Sequence, residues 1–170
     1  SRGEVYREWL GIKCASPSYY GLLGVPELEP DQQVVLHAGR RVKRKLRAYQ
    51  IGQYRKQALE LLAEVGQAMV ALTSSEKKAA YDRELMGRWK NAIEECYRAH
   101  VEGAAHAPAV LEAWLNACVI RGVPVTRLLP AMVHKLGPRL KEWPPHGEHK
   151  LNLPVGLWVY RDAVALGQCL

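Results

Sequence analysis

The chain has 170 residues, 24 Lys+Arg against 17 Asp+Glu, and a net charge of +7. With 48% apolar and 24% charged residues it has the composition of one globular domain or two small ones, which excludes bulk disorder. It holds no run of about 18 apolar residues, so no membrane-spanning helix is expected.

The opening SRGEVYREW carries neither Met nor an apolar signal core, and it reads as the start of a fragment, with residues 1–16 as an N-terminal extension. Cys14, Cys96, Cys118 and Cys169 are scattered and form no Cys-x-x-Cys, so they read as small apolar side chains in a reducing compartment, and a cytoplasmic location is expected. Phe is absent, which leaves aromatic packing to 8 Tyr and 5 Trp, rings with a polar handle.

The segment Tyr19-Tyr20-Gly21-Leu22-Leu23-Gly24-Val25-Pro26 is an apolar turn closed by Gly24 and Pro26. A helix is predicted from Asp31 to about Ile51, with Pro30 and Asp31 as its start signal and Gly52 as its stop. Val35, Ala38, Val42, Leu46 and Tyr49 recur at helical spacing and form its apolar stripe. A second helix is predicted over Tyr54–Leu72 on the stripe Ala58, Leu61, Leu62, Val65, Ala68, Met69 and Leu72. Two antiparallel helices joined around Ile51–Gln53 bury both stripes. Thr73-Ser74-Ser75-Glu76 has a capping-box pattern and starts a short polar helix ending near Met86–Gly87.

The positive charge is local. Between Gln32 and Leu59 there is no acid, and Arg40, Arg41, Lys43, Arg44, Lys45, Arg47, Arg55 and Lys56 all lie there, leaving 16 bases against 17 acids elsewhere. At about 100° per residue, Arg40, Arg41, Lys43, Arg44 and Arg47 fall on the helix face left free by the apolar stripe. Three readings stand: a solvated helix face, a docking face for an acidic protein or lipid, and a nucleic-acid contact. Only Tyr49 and Tyr54 interleave with the bases, which disfavours a base-stacking mode.

YYGLLGV, a basic amphipathic helix, and LLAEVGQAMVALTSSEKKAAYDREL together resemble a J-domain, the co-chaperone module, over about residues 17–87. The matching residues are Tyr20, Leu22, Leu23, Gly24, Val25, Glu64, Val65, Ala68, Leu72, Lys77, Ala80, Tyr81 and Asp82. The resemblance implies an antiparallel helical hairpin with a basic docking helix. Active J-domains need a His-Pro-Asp tripeptide between these helices to stimulate ATP hydrolysis by a heat-shock partner. Here that slot falls near Arg47-Ala48-Tyr49 and no His-Pro-Asp occurs in the sequence, so a residual co-chaperone is the weakest of the readings. The chain is similar to degenerate J-like modules of bacterial, planctomycete-type signalling and hypothetical proteins. They share the Trp9-Leu10-Gly11-Ile12 segment and have Tyr49-Gln50-Ile51-Gly52-Gln53 in place of the tripeptide.

Residues 88–170 read as a second small helical region that resembles no known family. The helical run continues from Arg88 to about His100, with Trp89, Ile93, Cys96 and Tyr97 on one side, and breaks at Gly103. A helix starting near Pro108 has Leu111, Trp114, Leu115, Cys118 and Val119 on its apolar face and stops at Gly122. Thr126 is expected to cap another with Pro130 in its first turn, ended by Gly137-Pro138. Trp143–Leu153 reads as a loop, and Val155–Ala165 as a strand or short helix.

No catalytic or cofactor site is expected. His146 and His149 with Glu148 fall short of a zinc set, and phosphate-cradling glycine loops and nucleophile elbows are missing from the sequence. Glu94 and Glu95, adjacent on a helix, point apart onto a solvated face, and Trp89 and Trp114 read as core. The expected protein is mostly α and non-enzymatic: an interaction or scaffold module that docks an acidic protein partner through Arg40, Arg41, Lys43, Arg44, Arg47, Arg55 and Lys56, with nucleic acid or an anionic surface as the alternative.

Overall fold

The structure, a computed structural model, describes residues 2–14, 16–104 and 108–136. Among these residues the fold is all-α: α1 (Arg2–Leu10), α2 (Tyr19–Leu23), α3 (Gln32–Arg47), α4 (Arg55–Thr73), α5 (Ser75–His100), α6 (Pro108–Ile120) and α7 (Val125–Leu136). None of these helices is long and apolar enough to cross a membrane. The chain divides into two compact units, with the boundary between Arg88 and Trp89. The expectations for Trp143–Leu153, Val155–Ala165, His146, His149 and Cys169 lie outside the described residues.

In the first unit, α3 and α4 form an antiparallel pair. Asp31 caps α3 by accepting from the Gln33 N–H at 2.8 Å. Val35, Ala38, Val42 and Leu46 on α3 and Ala58, Leu61, Val65, Ala68 and Leu72 on α4 are all buried. Each of the larger side chains contributes about 1.5–3 kcal/mol on leaving water. Gly39 allows the close approach, because a Cβ there would run into the Met69 side chain.

The helix predicted to Ile51 ends at Arg47. Its chain tightens through N–H donations from Ala48, Tyr49 and Gln50 to the carbonyls of Lys45, Leu46 and Arg47. Tyr49 therefore leaves the α3 stripe and stacks on Trp9 instead, with centroids 4.2 Å apart and planes within 6°.

Helix α2 is pinned at both ends. Ser18 Oγ accepts from the Gly21 N–H at 3.0 Å, and Gly24, at φ 69°, closes the helix with Val25 N–H donating to Tyr20 O. Tyr20, Leu22 and Leu23 are buried as α2 packs on α3 and α4. Helix α1 contacts α3, and the buried Tyr6 donates its hydroxyl to the Glu64 carboxylate at 2.9 Å. The N-terminal extension thus includes a packed helix, α1, that its sequence pattern does not announce.

At the α4–α5 junction the capping box does not form. Thr73 Oγ1 donates back to Met69 O at 2.7 Å, and Ser74, in extended conformation, supplies the carbonyl that receives Lys78 N–H. Nor does α5 end near Gly87. It runs on to His100, since a single internal glycine costs only about 1 kcal/mol.

The second unit is built around Trp114, which is fully buried. Its Nε1–H donates to Ile93 O at 3.2 Å, and Tyr97 meets it edge-on at 5.3 Å. Glu94 and Glu95 do point apart, but they are paired: Glu94 to Lys135 at 2.9 Å and Glu95 to Arg121 at 2.6 Å. Cys96 and Cys118 are buried, and Cys14 half-buried, as free thiols. Burial first, and Cys96 beside it second, push the Cys118 thiol up to about 12. Gly122, at φ 80°, closes α6 with Val123 N–H on Cys118 O. Thr126 is not the cap of α7. The Pro124 carbonyl accepts from Arg127 and Leu128, so Thr126 lies inside the helix and Pro130 in its second turn, where the ring removes a backbone donor.

Candidate protein-docking face

The acid-free window folds into the outer face of α3, the loop after it, and the first turn of α4. Arg40, Arg41, Arg44, Lys45, Arg47, Arg55 and Lys56 are exposed and Lys43 is half-buried. Among the described residues none of these bases is held in an ion pair. Lys45, which the helical projection left off the free face, is exposed with the rest.

The bases spread around α3. Arg40, Arg44 and Arg47 recur at helical spacing opposite the buried Val42 and form the outer ridge. Arg41 leans toward α2: its guanidinium lies 3.9 Å from where a Cβ on Gly24 would stand. Lys43 leans toward α4, its Nζ 3.8 Å from the equivalent point on Gly66.

Helix electrostatics separates two groups of bases. Arg44, Lys45 and Arg47 occupy the last turn of α3, where cations suit the negative end of the helix. Arg55 and Lys56 open α4, where the exposed N–H groups repel cations, and Tyr54 at the cap position offers no side-chain hydrogen bond. Stability accounts for the first group and is opposed by the second.

An aromatic cluster braces this end of the hairpin. Trp9, stacked on Tyr49, also meets Tyr54 edge-on at 5.7 Å, while Ile51 between them is 89% exposed. Trp9 was not foreseen as part of the face, because nothing in one sequence links it to a loop forty residues away.

A second polar cluster fastens α2 to α5. Tyr20, fully buried, donates its hydroxyl to Asp82 Oδ1, and Lys78 pairs with Asp82 Oδ2 at 2.6 Å. Tyr19 N–H donates to the Tyr81 hydroxyl at 2.8 Å, with the two rings stacked at 4.4 Å. Burial first, then the bond to Asp82, hold Tyr20 neutral well above the usual tyrosine range. Glu27 accepts from Ser18 Oγ at 2.6 Å, while its Oε2 is buried without a partner. Burial foremost raises its carboxyl above the ordinary range, against the lowering effects of Ser18 and Arg88. These groups are structural in placement: Tyr19, Tyr20, Tyr81 and Asp82 tie α2 to α5, and Glu27 braces the Ser18 cap of α2.

No family model matches the chain, and no curated protein or solved structure matches it.

Proposed function

We propose that the first unit is a non-catalytic protein-interaction module of scaffold type, docking an acidic protein partner through Arg40, Arg41, Lys43, Arg44, Arg47, Arg55 and Lys56. The observation that carries this reading is the placing of Arg55 and Lys56 against the α4 dipole, beside a ridge of exposed bases that form no ion pair among the described residues. Charge kept where it costs stability is the mark of a site rather than of a solvated face. Clustered bases speed the encounter with an acidic surface and bias it toward partners of opposite charge.

The scaffold of this face is read as a divergent J-like hairpin without its His-Pro-Asp trigger. In support, the residues that carry the resemblance pack on one another: Tyr20 bonds Asp82, and Val65, Ala68 and Leu72 are buried with Leu22 and Leu23. Nucleic acid is the weaker reading, since Tyr49 already spends one ring face on Trp9.

The test is co-purification from native extract, at low salt, with wild type and with the triple variant Arg40→Glu, Arg44→Glu, Arg47→Glu. An acidic protein retained by wild type and lost by the variant supports the proposal. Equal retention by both contradicts it.

A further inference from the structure

The basic ridge of α3 borders an apolar strip on α4. The two helices are in register with Gly39 against Met69 and Lys43 against Gly66: a Cβ on Gly39 would fall 2.5 Å from Met69 Cγ, and one on Gly66 3.8 Å from Lys43 Nζ. Continuing this register brings Arg47 level with Leu62. At about 100° per residue, Leu59, Leu62, Gly66, Met69 and Val70 share the flank of α4 over which Lys43 leans, and Arg40, Lys43 and Arg47 line the same side of α3.

On this flank Leu59 is 47% and Val70 56% exposed, with Leu62 and Met69 half-buried. Glu60 and Glu64 turn to the opposite flank of α4, where Glu64 accepts from Tyr6. With glycine at both 39 and 66, the seam between the helices stays low. One rim of the strip is therefore basic and the other carries no acid.

We infer that this seam takes an amphipathic helical segment of the partner. Its apolar residues, spaced i, i+3/i+4, i+7, lie on Leu59, Leu62, Met69 and Val70, and one acidic edge lies along Arg40, Lys43 and Arg47. From Leu59 to Val70 the strip runs about 16 Å, three helical turns. That length and the one-sided charge match helix-in-groove recognition rather than an extended acidic tail. The inference rests on the proposed docking of an acidic protein and adds its secondary structure and its apolar anchors.

The test titrates the full chain by fluorescence anisotropy against three labelled probes. These are a synthetic amphipathic helix with Leu on one face and Glu along one edge, the same residues scrambled to destroy the face, and a single-stranded oligonucleotide of equal charge. The amphipathic peptide is expected to bind about tenfold or more tightly than the scrambled one, and Leu59→Asp or Val70→Asp each to lose about tenfold, the equivalent of one buried apolar contact. Both positions are exposed, and Leu59→Ser and Val70→Ser serve if an aspartate variant fails to fold by circular dichroism. Equal binding of both peptides, lost on charge reversal at Arg40, Arg44 and Arg47, overturns the helical seam and leaves the docking face standing. Binding of neither peptide overturns the seam, and preference for the oligonucleotide overturns the seam and the acidic-protein reading together.

Discussion

Replacing Tyr20 with Phe removes one hydroxyl from the junction of α2 and α5 and leaves the ring in place. That hydroxyl donates to Asp82 Oδ1 from a side chain with no exposed surface. A hydrogen bond to a charged acceptor is worth about 1.5–3 kcal/mol, and the lower half applies here because Asp82 keeps Lys78 and is partly reached by water. About 1.5–2 kcal/mol over a unit of this size corresponds to a fall in Tm of roughly 8–11 °C, if that unit melts on its own. The sign with pH is fixed by linkage. The folded state holds Tyr20 protonated above its ordinary value near 10, so this stabilisation is complete below that pH and is lost as pH rises through it. Melts of wild type and Tyr20→Phe, followed by circular dichroism from pH 7 to pH 11, should show the gap between them narrowing above about pH 10. An unchanged Tm at pH 7, or a gap that stays constant to pH 11, refutes the reasoning.

Three further outcomes are expected. Trp9→Ala should cost about 2 kcal/mol, from a half-buried tryptophan and its stacking on Tyr49, and should speed amide exchange in residues 48–54 before the rest of the unit. Lys56→Glu should raise stability by about 0.3–1 kcal/mol by suiting the start of α4, yet weaken capture of the acidic partner; a gain in both would break the link between charge and docking. Glu27→Gln should raise Tm at pH 7 and not at pH 4, because a carboxyl raised above its ordinary value of 4.5 contributes most while protonated and loses that stability as pH climbs through it. Thermal melts at the two pH values read this directly.

The parts of the structure legible in the sequence were those set by local pattern. The stripes of α3 and α4, the Asp31 cap and the Gly24 and Gly122 stops follow from helical period and from backbone conformations that glycine adopts readily. Local pattern failed where tertiary contact outweighed it. Tyr49 continued the α3 stripe in sequence but left it for Trp9, and the Thr73 hydroxyl turned back to Met69 O instead of opening α5. Gly87 punctuated the sequence without ending a helix. Helix α1 was missed because Tyr6 finds its partner, Glu64, 58 residues away.

The candidate site divides the same way. That the bases lie on a free helix face was visible from spacing. That Arg41 and Lys43 lean to opposite sides of that face, toward Gly24 and Gly66, was not, since both placements depend on elements distant in sequence. The cost of Arg55 and Lys56 became visible only when α4 was seen to begin at Arg55 without a cap. Charge counting found the bases, and helix boundaries separated those that stability explains from those it opposes.

The most direct measurement is the affinity of the acidic protein captured by wild type, titrated against wild type and against the Arg40→Glu, Arg44→Glu, Arg47→Glu variant at about 50 mM and about 300 mM salt. Wild-type affinity should fall with salt, and the variant should bind at least about tenfold more weakly at the lower salt, with the difference shrinking as salt screens the face. Equal affinity of the two proteins at low salt would contradict a docking role for the basic face.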